Sequence, residues 1–355
     1  MTSRERVVAA ALRGVPDVLP VALYNGNQAI VSAGFRIGEC CTDGKKLAEA
    51  QLRAWEALGQ DVIVVQSDGY YIAEAMGSIV RHHLDSMPTL EKPAVQEMSD
   101  ISRLKKPDPA SDGRMHVYLE AIRILRGRVG DSVAIRGCGA GPFVQACHLL
   151  GTERFMLELA LAYHGLSGAE QAMRDLLGLC CDTLIDFVSA QLELGATIVQ
   201  CADSSASLDM ISPDTYEKYA LPYERRFFEA IRPLCRERGA VSLLHICGNT
   251  TKILPLLAKT GADIVEVDHK VDLGMAKLVM GGSVALIGNL DPVGCMLFGS
   301  VADVERATRE CIDKAAGGGG FILGSGCEVP VGTPRENLEA AVRMARAHRY
   351  SSSGA

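Results

Sequence analysis

The stretch VSLLHICGN, residues 241–249, indicates both a fold and a chemistry. Its run of valine, leucine and isoleucine predicts a β-strand. Because His245 and Cys247 are two residues apart, both side chains leave such a strand on the same face. A second apolar run, GFILGSG, is followed directly by Cys327. One imidazole and two thiols form a donor set that suits zinc, and three protein ligands leave the fourth tetrahedral position for a substrate.

The alternative is that these cysteines are ordinary core residues. Cysteine is among the residue types most often buried, and a chain with 12 cysteines will place some near a histidine by chance. The organisation of the rest of the chain distinguishes the two interpretations.

Short apolar runs rich in valine and isoleucine recur along the chain, with helical stretches between them. There are eight, at residues 18–25, 61–69, 132–139, 196–204, 241–249, 263–269, 284–292 and 320–328. Alternating strands and helices are typical of a parallel sheet, and eight such units are the number that closes a TIM barrel. We therefore predict an α/β fold, a single (β/α)8 barrel.

A polar or thiol side chain stands at the end of each predicted strand. In chain order these are Asn25, Asp68, Cys138, Asp203, His245 with Cys247, Glu266 with Asp268, Asn289 with Asp291, and Cys327. TIM-barrel active sites lie at the carboxyl ends of the strands, and stability alone does not require carboxylates, amides and thiols at that edge. This context favours the zinc site over the core interpretation.

The charge of such a site predicts its chemistry. Zinc bound by two thiolates and a neutral imidazole has no net formal charge, so a third thiolate, from a substrate, stays electron-rich and nucleophilic. Transfer of an alkyl group to a thiol is the natural use of such a site. At rest the fourth ligand is Asp268, Glu266 or water; the two acids share a strand face, and we favour Asp268.

Further site residues are predicted from the other strand ends. Asp203, followed by Ser204 and Ser205, and Asn289 are candidates for catalysis or for holding a polar substrate group, together with Asp268. The remaining candidates, for binding a cofactor, are Asn25, Asp68, Asn249 and Asp291.

Composition excludes several classes of partner. The net charge of −7 gives no reason to expect nucleic acid, and no apolar run is long enough to span a membrane. The 12 cysteines have irregular spacing, which does not resemble a disulfide framework in a chain of 355 residues. We expect reduced thiols and a cytoplasmic protein.

One domain is expected to cover most of the chain. Residues 1–350 are assigned to the barrel, with a helical extension at the N-terminus, and residues 351–355 to a disordered tail. Residues 70–130 hold too much polar sequence for one crossover and are predicted to form an excursion over the barrel mouth. Two helix starts carry capping signals: Ser300 followed by Asp303, and Thr333 followed by Pro334 and Glu336.

Several segments resemble the uroporphyrinogen decarboxylase superfamily, and within it the branch of cobalamin-dependent methyltransferases typified by methylcobamide:coenzyme M methyltransferases. They are RERVVAAALRG, AGPFVQACHLLG, DMISPDTYEKYALPYERRFFEAI, HICGNTTKILPLLAKTGADIVEVD, ALIGNLDP and VPVGTPRENLEAAVRMAR. HICGN and the later GSGC are the most specific. The family fold is a (β/α)8 barrel. The resemblance implies that His245, Cys247 and Cys327 bind zinc and that Asp268 coordinates the resting metal.

The resemblance also implies a reaction. A methyl group passes between a corrinoid (cobalamin) on a partner protein that docks over the barrel mouth and a zinc-activated acceptor, foremost a thiol such as coenzyme M. The alternatives are demethylation of an O- or S-methyl donor, transfer linked to tetrahydrofolate, a metal-free decarboxylase, and a non-catalytic barrel that binds a tetrapyrrole or a corrinoid partner. The decarboxylases carry a segment resembling RQAGRY, whereas this chain has ALYNGNQ, residues 22–28, without arginine.

Overall fold

Most of the strands belong to one curled parallel sheet in the computed structural model, which describes residues 1–130, 132–166 and 169–350. The strands of the described residues are β1 Val62–Val64, β2 Ile79–Arg81, β3 Thr89–Lys92, β4 Ala134–Arg136, β5 Ile198–Ala202, β6 Val241–Ile246, β7 Ile264–Val267, β8 Ala285–Leu290 and β9 Phe321–Ser325. β2 and β3 form a separate antiparallel hairpin. The other seven lie side by side in chain order, as repeated right-handed βα units require.

The segment before β1 closes the sheet into a barrel. Val21 bridges in parallel to Leu323 of β9, and the Val21 carbonyl accepts a hydrogen bond of 2.9 Å from the N–H of Asp61, just before β1. The first predicted strand, residues 18–25, is therefore present only as two isolated bridges, at Val18 and Val21, and not as a regular strand. Pro20 explains this, because it has no N–H for the ladder. The side chains of Asp61 and Gln60 instead accept hydrogen bonds from Val21 and Leu23.

Helices of very different length surround the strands. They are α1 Ser3–Ala11, α2 Gly26–Ser32, α3 Ile37–Cys40, α4 Gly44–Leu58, α5 Tyr71–Ala75, α6 Met115–Val129, α7 Pro142–Leu150, α8 Thr152–Tyr163, α9 Ala169–Glu193, α10 Pro213–Tyr219, α11 Leu221–Arg238, α12 Leu254–Leu257, α13 Leu273–Met280, α14 Val301–Ala315 and α15 Arg335–Ala347. Short 3-10 turns lie at Met98–Arg103, Ser204–Ala206 and Thr251–Ile253, and a π turn at Pro292–Leu297. None of the described helices is long and apolar enough to cross a membrane.

Alternate residues of the strands fill the inside of the barrel. Its apolar floor is a separate buried cluster that includes Val62, Val64, Ala134, Ile198, Val241, Leu243, Ile264, Ala285, Ile287 and Ile322. Helix α1 closes the amino end of the barrel, since its Val7, Ala10 and Ala11 belong to the same cluster. Because side chains alternate along a strand, the next inward positions of β6 and β7 are His245 and Glu266. The floor therefore leads directly into polar side chains at the carboxyl ends.

The two predicted helix starts have different outcomes. Ser300 and Asp303 form a capping box at α14, as predicted. The prediction of Thr333 as N-cap is wrong: α15 begins at Arg335, its N-cap is Pro334, and the Thr333 hydroxyl is buried without a hydrogen-bond partner. Pro334 has extended backbone angles, φ −58° and ψ 134°, so the helix starts after it.

The excursion between β1 and β4 contains the exposed hairpin β2–β3. In the loop between the two strands, the Leu84 carbonyl accepts a hydrogen bond from the N–H of Gly38 in α3. After β3, the N–H of Val95 donates to the Leu149 carbonyl at the end of α7. These bonds hold the hairpin loop against α3 and the segment after β3 against the end of α7, and the predicted position over the barrel mouth stays a prediction. The predicted tail, residues 351–355, lies outside the described residues.

Candidate metal centre

Three potential metal ligands converge at the carboxyl end of the barrel. A ring nitrogen of His245 and the sulfur atoms of Cys247 and Cys327 lie within 4.8 Å of one another. His245 is the fifth residue of β6, Cys247 follows the strand directly, and Cys327 follows β9. The strands are not neighbours in the ring, so Cys327 reaches the pair across the barrel axis.

A buried carboxylate stands behind the imidazole. The parallel register of β6 and β7 pairs His245 with Glu266, and Glu266 Oε2 lies 2.7 Å from His245 Nδ1, although the N–H is poorly aligned for a hydrogen bond. Both Glu266 oxygens also accept hydrogen bonds from Arg136, at 2.8 and 2.7 Å. Arg136 donates a further bond of 2.8 Å to Gln200 and lies over the ring of Tyr24. Each charge in this buried chain therefore has an opposite partner.

Burial and neighbouring charges shift the pKa values of these groups in different directions. Burial alone raises the pKa of Glu266, but Arg136 and His245 outweigh it and lower the pKa to about 2. Burial lowers the pKa of His245, yet Glu266 and Cys247 raise it to about 10. The Cys327 thiol lowers the pKa of Cys247 to about 3, with help from His245 and Ser204. The contact with Cys247 in turn raises the pKa of Cys327. Cys247 is thus the first thiolate of the group.

The donor set fits zinc. Around tetrahedral zinc, sulfur and nitrogen ligands at bond lengths of about 2.0–2.3 Å lie about 3.6–3.8 Å apart, so only a small contraction of the observed group is needed. Nδ1 of His245 faces Glu266, which leaves Nε2 for a metal. A carboxylate on the second nitrogen is the arrangement that orients metal-binding histidines in proteins.

Both predicted acids accept hydrogen bonds from other residues, and neither belongs to the ligand group. Glu266 gives both oxygens to Arg136. Asp268 lies outside the ligand group; its Oδ2 accepts from the Gly248 N–H at 2.8 Å, and its Oδ1 accepts from the Lys270 N–H at 2.9 Å. These bonds shape the loops after β6 and β7, and ligation by Asp268 stays a prediction. His245, Cys247 and Cys327 all line the cavity above them, so a metal held by these residues would be open to water or a substrate on that side.

A cavity of about 260 Å³ opens above the three ligands. Beside the ligands it is lined by Tyr24, Gln66, Asp68, Gly69, Tyr71, Gly139, Ala140, Val144, His148, Gln200, Ala202, Ser204, Ser205 and Glu328. Cys247 Sγ lies 3.0 Å from Ser204 Oγ. Residues of the β2–β3 hairpin do not line this cavity.

Sequence reasoning missed four polar residues of the lining: Gln66, Gln200, His148 and Glu328. Glu328 had a usable signal, since it follows Cys327 directly in GSGCEVP. Gln66 and Gln200 lie at or near strand ends, as the other candidates do. His148 belongs to α7, and its ring position could not be read from a helical pattern.

Asp203 and Asn289, the predicted catalytic residues, do not line the cavity. Asp203 is fully buried, and its oxygens accept hydrogen bonds from the N–H groups of Val144 (2.7 Å) and Phe143 (3.3 Å) at the start of α7. Burial raises the pKa of Asp203 to about 7 despite these bonds. Asn289 donates to the carbonyls of Asp268 (3.1 Å) and Val271 (2.8 Å). Both contacts organise loops around the site.

The four predicted cofactor-binding residues are dispersed. Asp68 lines the cavity, but Arg114 and Tyr118 occupy its oxygens at 2.6–3.2 Å. Asn25 faces a different cavity, between α2, α4 and α15. Asn249 is exposed and turns its side-chain oxygen to the Thr251 N–H, and Asp291 caps the π turn. In the described residues only Asp68 of the four reaches the candidate site.

Comparison with known proteins places the chain in a family. The family profile described as uroporphyrinogen decarboxylase (URO-D) matches residues 2–348. The chain belongs to the uroporphyrinogen decarboxylase family. A solved structure of a methyltransferase from Methanosarcina mazei superposes with a TM-score of 0.85 at 26% identity, covering 97% of this chain and 98% of that one. The predicted TIM-barrel fold is thereby confirmed.

Relatives with two different names occur in this family. Methylcobamide:CoM methyltransferase MtbA of Methanosarcina acetivorans is 31% identical over 353 residues, 98% of this chain and 99% of the relative. Uroporphyrinogen decarboxylase of Syntrophotalea carbinolica is 31% identical over 318 residues, 89% of this chain and 87% of the relative. The resemblance to the methyltransferase branch is confirmed, and the decarboxylases are similar over a shorter part of the chain.

Proposed function

We propose that this protein is a zinc-dependent methyltransferase that moves a methyl group between a corrinoid on a partner protein and a small thiol, of which coenzyme M is suggested by the relatives' names. The convergence of His245, Cys247 and Cys327 beneath a cavity at the carboxyl end of the barrel carries this proposal. Glu266 behind His245 supports it, because a carboxylate beside the second ring nitrogen is the usual partner of a metal-binding histidine.

The residues of the chain prepare the site in distinct ways. A zinc ion held by the three ligands would lower the pKa of a substrate thiol and keep its sulfur nucleophilic. Glu266 holds the imidazole with Nε2 directed at the ligand group, and Arg136 balances the Glu266 charge in the barrel interior. Ser204 fixes the sulfur of Cys247. The apolar floor and the ring of Tyr24 keep water from the inner side of the ligands.

The cavity suits a small substrate and not a corrin. Its volume of about 260 Å³ lies below the range of about 300–1,000 Å³ that holds drug-sized ligands. A corrin macrocycle with its side chains is larger than such ligands. We therefore propose that the corrinoid stays on its own protein, which docks over the barrel mouth and presents the cobalt to the cavity.

The ligand set favours a thiol acceptor over demethylation of a methylated donor. Two thiolates reduce the Lewis acidity of the metal, and the carboxylate behind His245 makes the imidazole a stronger donor, which reduces it further. A thiol needs only deprotonation, which such a site still provides. Transfer to tetrahydrofolate remains a less favoured outcome, because the cavity is small for a folate.

Charge separates this proposal from porphyrin decarboxylation. A porphyrin substrate bears several carboxylates that need cationic partners, and none of the described residues that line the cavity is a lysine or an arginine. The segment at residues 22–28, which replaces the arginine-bearing segment of the decarboxylases, contributes Tyr24 to the lining.

Metal analysis with matched cysteine variants tests the proposal. We expect about one zinc per chain in the wild type and a large loss of zinc in His245→Ala, Cys247→Ala and Cys327→Ala. Cys295→Ala, a partly exposed thiol outside the site, should keep its zinc. The zinc protein should demethylate free methylcobalamin with 2-mercaptoethanol or coenzyme M. Full zinc in the three variants, or a zinc-free wild type prepared without chelator, would refute the metal site. A metal-free lyase would then be the favoured function.

We also propose a cytoplasmic location. All twelve cysteines are free, and most are buried. Free thiols in this number suit a reducing compartment.

A further inference from the structure

A second cavity lies on the outside of the barrel, between α2, α4 and α15. This helix cavity shares no lining residue with the cavity above His245, Cys247 and Cys327. Its volume of about 300 Å³ is at the lower end of the range in which proteins bind small organic molecules. Part of its wall is apolar, with Leu58 and Leu338 among the lining side chains. The helix cavity therefore has the size and the surface for a small molecule with an apolar body.

Two buried side-chain amides face the helix cavity from α2 and its N-cap. Gln28 is 5% exposed, and its amide has no hydrogen-bond partner among the described residues. Asn25 is 3% exposed; its oxygen accepts a hydrogen bond of 3.1 Å from Gln60, whereas its NH₂ group has no partner in the same part of the chain. Buried polar groups are nearly always hydrogen-bonded, so these amides need a partner inside the cavity.

The charges of the lining favour an anionic ligand over water alone. The lining contains two guanidinium groups, from Arg53 of α4 and Arg335 of α15, and no carboxylate among the residues that the structure describes. This is an unusual local charge in a chain with a net charge of −7. Each arginine uses Nε to pair with a glutamate four residues away on its own helix, Glu49 at 2.8 Å and Glu339 at 2.6 Å. Neither glutamate lines the cavity.

These two ion pairs leave donors for a further partner. The terminal nitrogens of Arg53 make no hydrogen bond within the described ranges, and one terminal nitrogen of Arg335 donates to the Ala57 carbonyl at 3.2 Å. The two arginine side chains are 55% and 66% exposed, and ion pairs at such exposure contribute little to stability. A bound anion can therefore engage both arginines at small cost. The planar guanidinium group matches the geometry of a carboxylate.

We propose that the helix cavity binds a small organic carboxylate. Its carboxylate group lies between Arg53 and Arg335, and its apolar body carries a hydroxyl or carbonyl group that contacts Gln28 and the NH₂ group of Asn25. An inorganic anion fits less well, because it leaves the buried amides and the apolar wall without contacts. The site is separate from the metal centre, so the proposal does not depend on methyl transfer.

Titrations of the zinc protein with two carboxylates test the proposal. The probes are 4-hydroxybenzoate and 3-hydroxybutyrate, each compared with its neutral amide and with inorganic phosphate. Binding is followed by saturation-transfer NMR, with saturating 2-mercaptoethanol present to block the metal centre. We expect at least one carboxylate to bind about ten-fold more tightly than its amide and than phosphate, the scale of a charge-assisted hydrogen bond.

Substitutions in the lining should weaken this binding. Arg53→Gln and Arg335→Gln should each reduce the affinity by about three- to ten-fold, and Gln28→Leu by a similar factor through lost hydrogen bonds. Ala57→Trp, at an exposed position on the edge of the cavity, should fill it and abolish binding without disturbing buried residues. Ala57→Trp therefore tests the site even if Gln28→Leu fails to fold.

Arg225→Gln is the matched control for the arginine variants. Arg225 of α11 lies outside the helix cavity and forms an equivalent pair with Glu229 four residues later, at 3.7 Å. Its substitution changes the net charge equally and should leave the affinity as in the wild type.

Several results would overturn the proposal. They are absence of binding by both carboxylates, equal affinity for the amides or for phosphate, and unchanged affinity in the arginine variants or in Ala57→Trp. Methylcobalamin turnover without carboxylate binding would refute the helix-cavity site and leave the methyltransferase function standing. Carboxylate binding that depends on Arg53 and Arg335, without turnover, would support the site and count against the methyltransferase function.

Discussion

Replacing Glu266 by glutamine should weaken zinc binding without touching a ligand. The change keeps the size of the side chain but removes the charge that faces His245 Nδ1 at 2.7 Å. Loss of such a carboxylate partner typically costs about 10–100-fold in metal affinity, which corresponds to about 1.4–2.7 kcal/mol. We expect a decrease in this range in a chelator competition assay.

The same substitution should also destabilise the protein before any metal is added. Arg136 is 1% exposed and would keep its charge without an opposite partner. Removing one member of a buried ion pair costs about 3–5 kcal/mol, a large share of the roughly 5–15 kcal/mol by which folded domains exceed the unfolded state. Urea unfolding of the metal-free protein measures this loss.

A double variant separates the two effects. In Glu266→Gln with Arg136→Met, the unpaired charge is gone, so most of the stability should return. The zinc affinity should stay low, because His245 still lacks its carboxylate. Zinc affinity equal to the wild type in folded Glu266→Gln would refute the role assigned to Glu266, and recovery of both properties together would show that stability alone controlled metal binding.

Three other residues give further predictions. Burial raises the pKa of Asp203 to about 7, so the folded state keeps this proton to higher pH than the unfolded chain, and stability should fall between about pH 4 and 7 by a few kcal/mol. Asp203→Asn should reduce that slope in urea unfolding, with a remainder from Glu224, whose pKa burial also raises; an unchanged slope would contradict the assignment. Asp68→Asn should cost about 1–3 kcal/mol of unfolding free energy, because Arg114 loses its charged partner Asp68 but keeps its ion pair with Glu74, with zinc content retained. Asn289→Ala should cost about 1–3 kcal/mol through two lost hydrogen bonds to loop carbonyls, and loss of zinc in this variant would instead indicate a direct role in the site.

Strand periodicity predicted the barrel and two of the three candidate metal ligands. The i, i+2 spacing of His245 and Cys247 requires both to face the barrel interior if the stretch is a strand, and β6 with the loop that follows it has this arrangement. The repeated βα units likewise imply a parallel sheet. The first run, 18–25, shows the limit of periodicity, since Pro20 lies within an apolar stretch that forms two isolated bridges and no regular strand.

The roles of the carboxylates could not be predicted from position. Glu266 and Asp268 share a strand face and looked equivalent as zinc ligands. Glu266 belongs to β7 and pairs with Arg136, 130 residues earlier in the chain. Asp268 follows the strand and accepts hydrogen bonds from N–H groups of two loops. Asp203, at the end of β5, points to the start of α7 instead of the cavity. Each outcome depends on a partner that is distant in sequence.

The sequence by itself therefore determined the architecture, the family and the residue types available at the carboxyl edge of the barrel. These follow from local periodicity and from motifs, which any short stretch carries within itself. Only the tertiary structure decided which of those side chains meet: Cys327 with the His245 pair, Glu266 with Arg136, and Asp203 with the start of α7. The physical reason is that burial forces every charge to find a partner, and the partner is chosen by the closing of the barrel and not by neighbours along the chain.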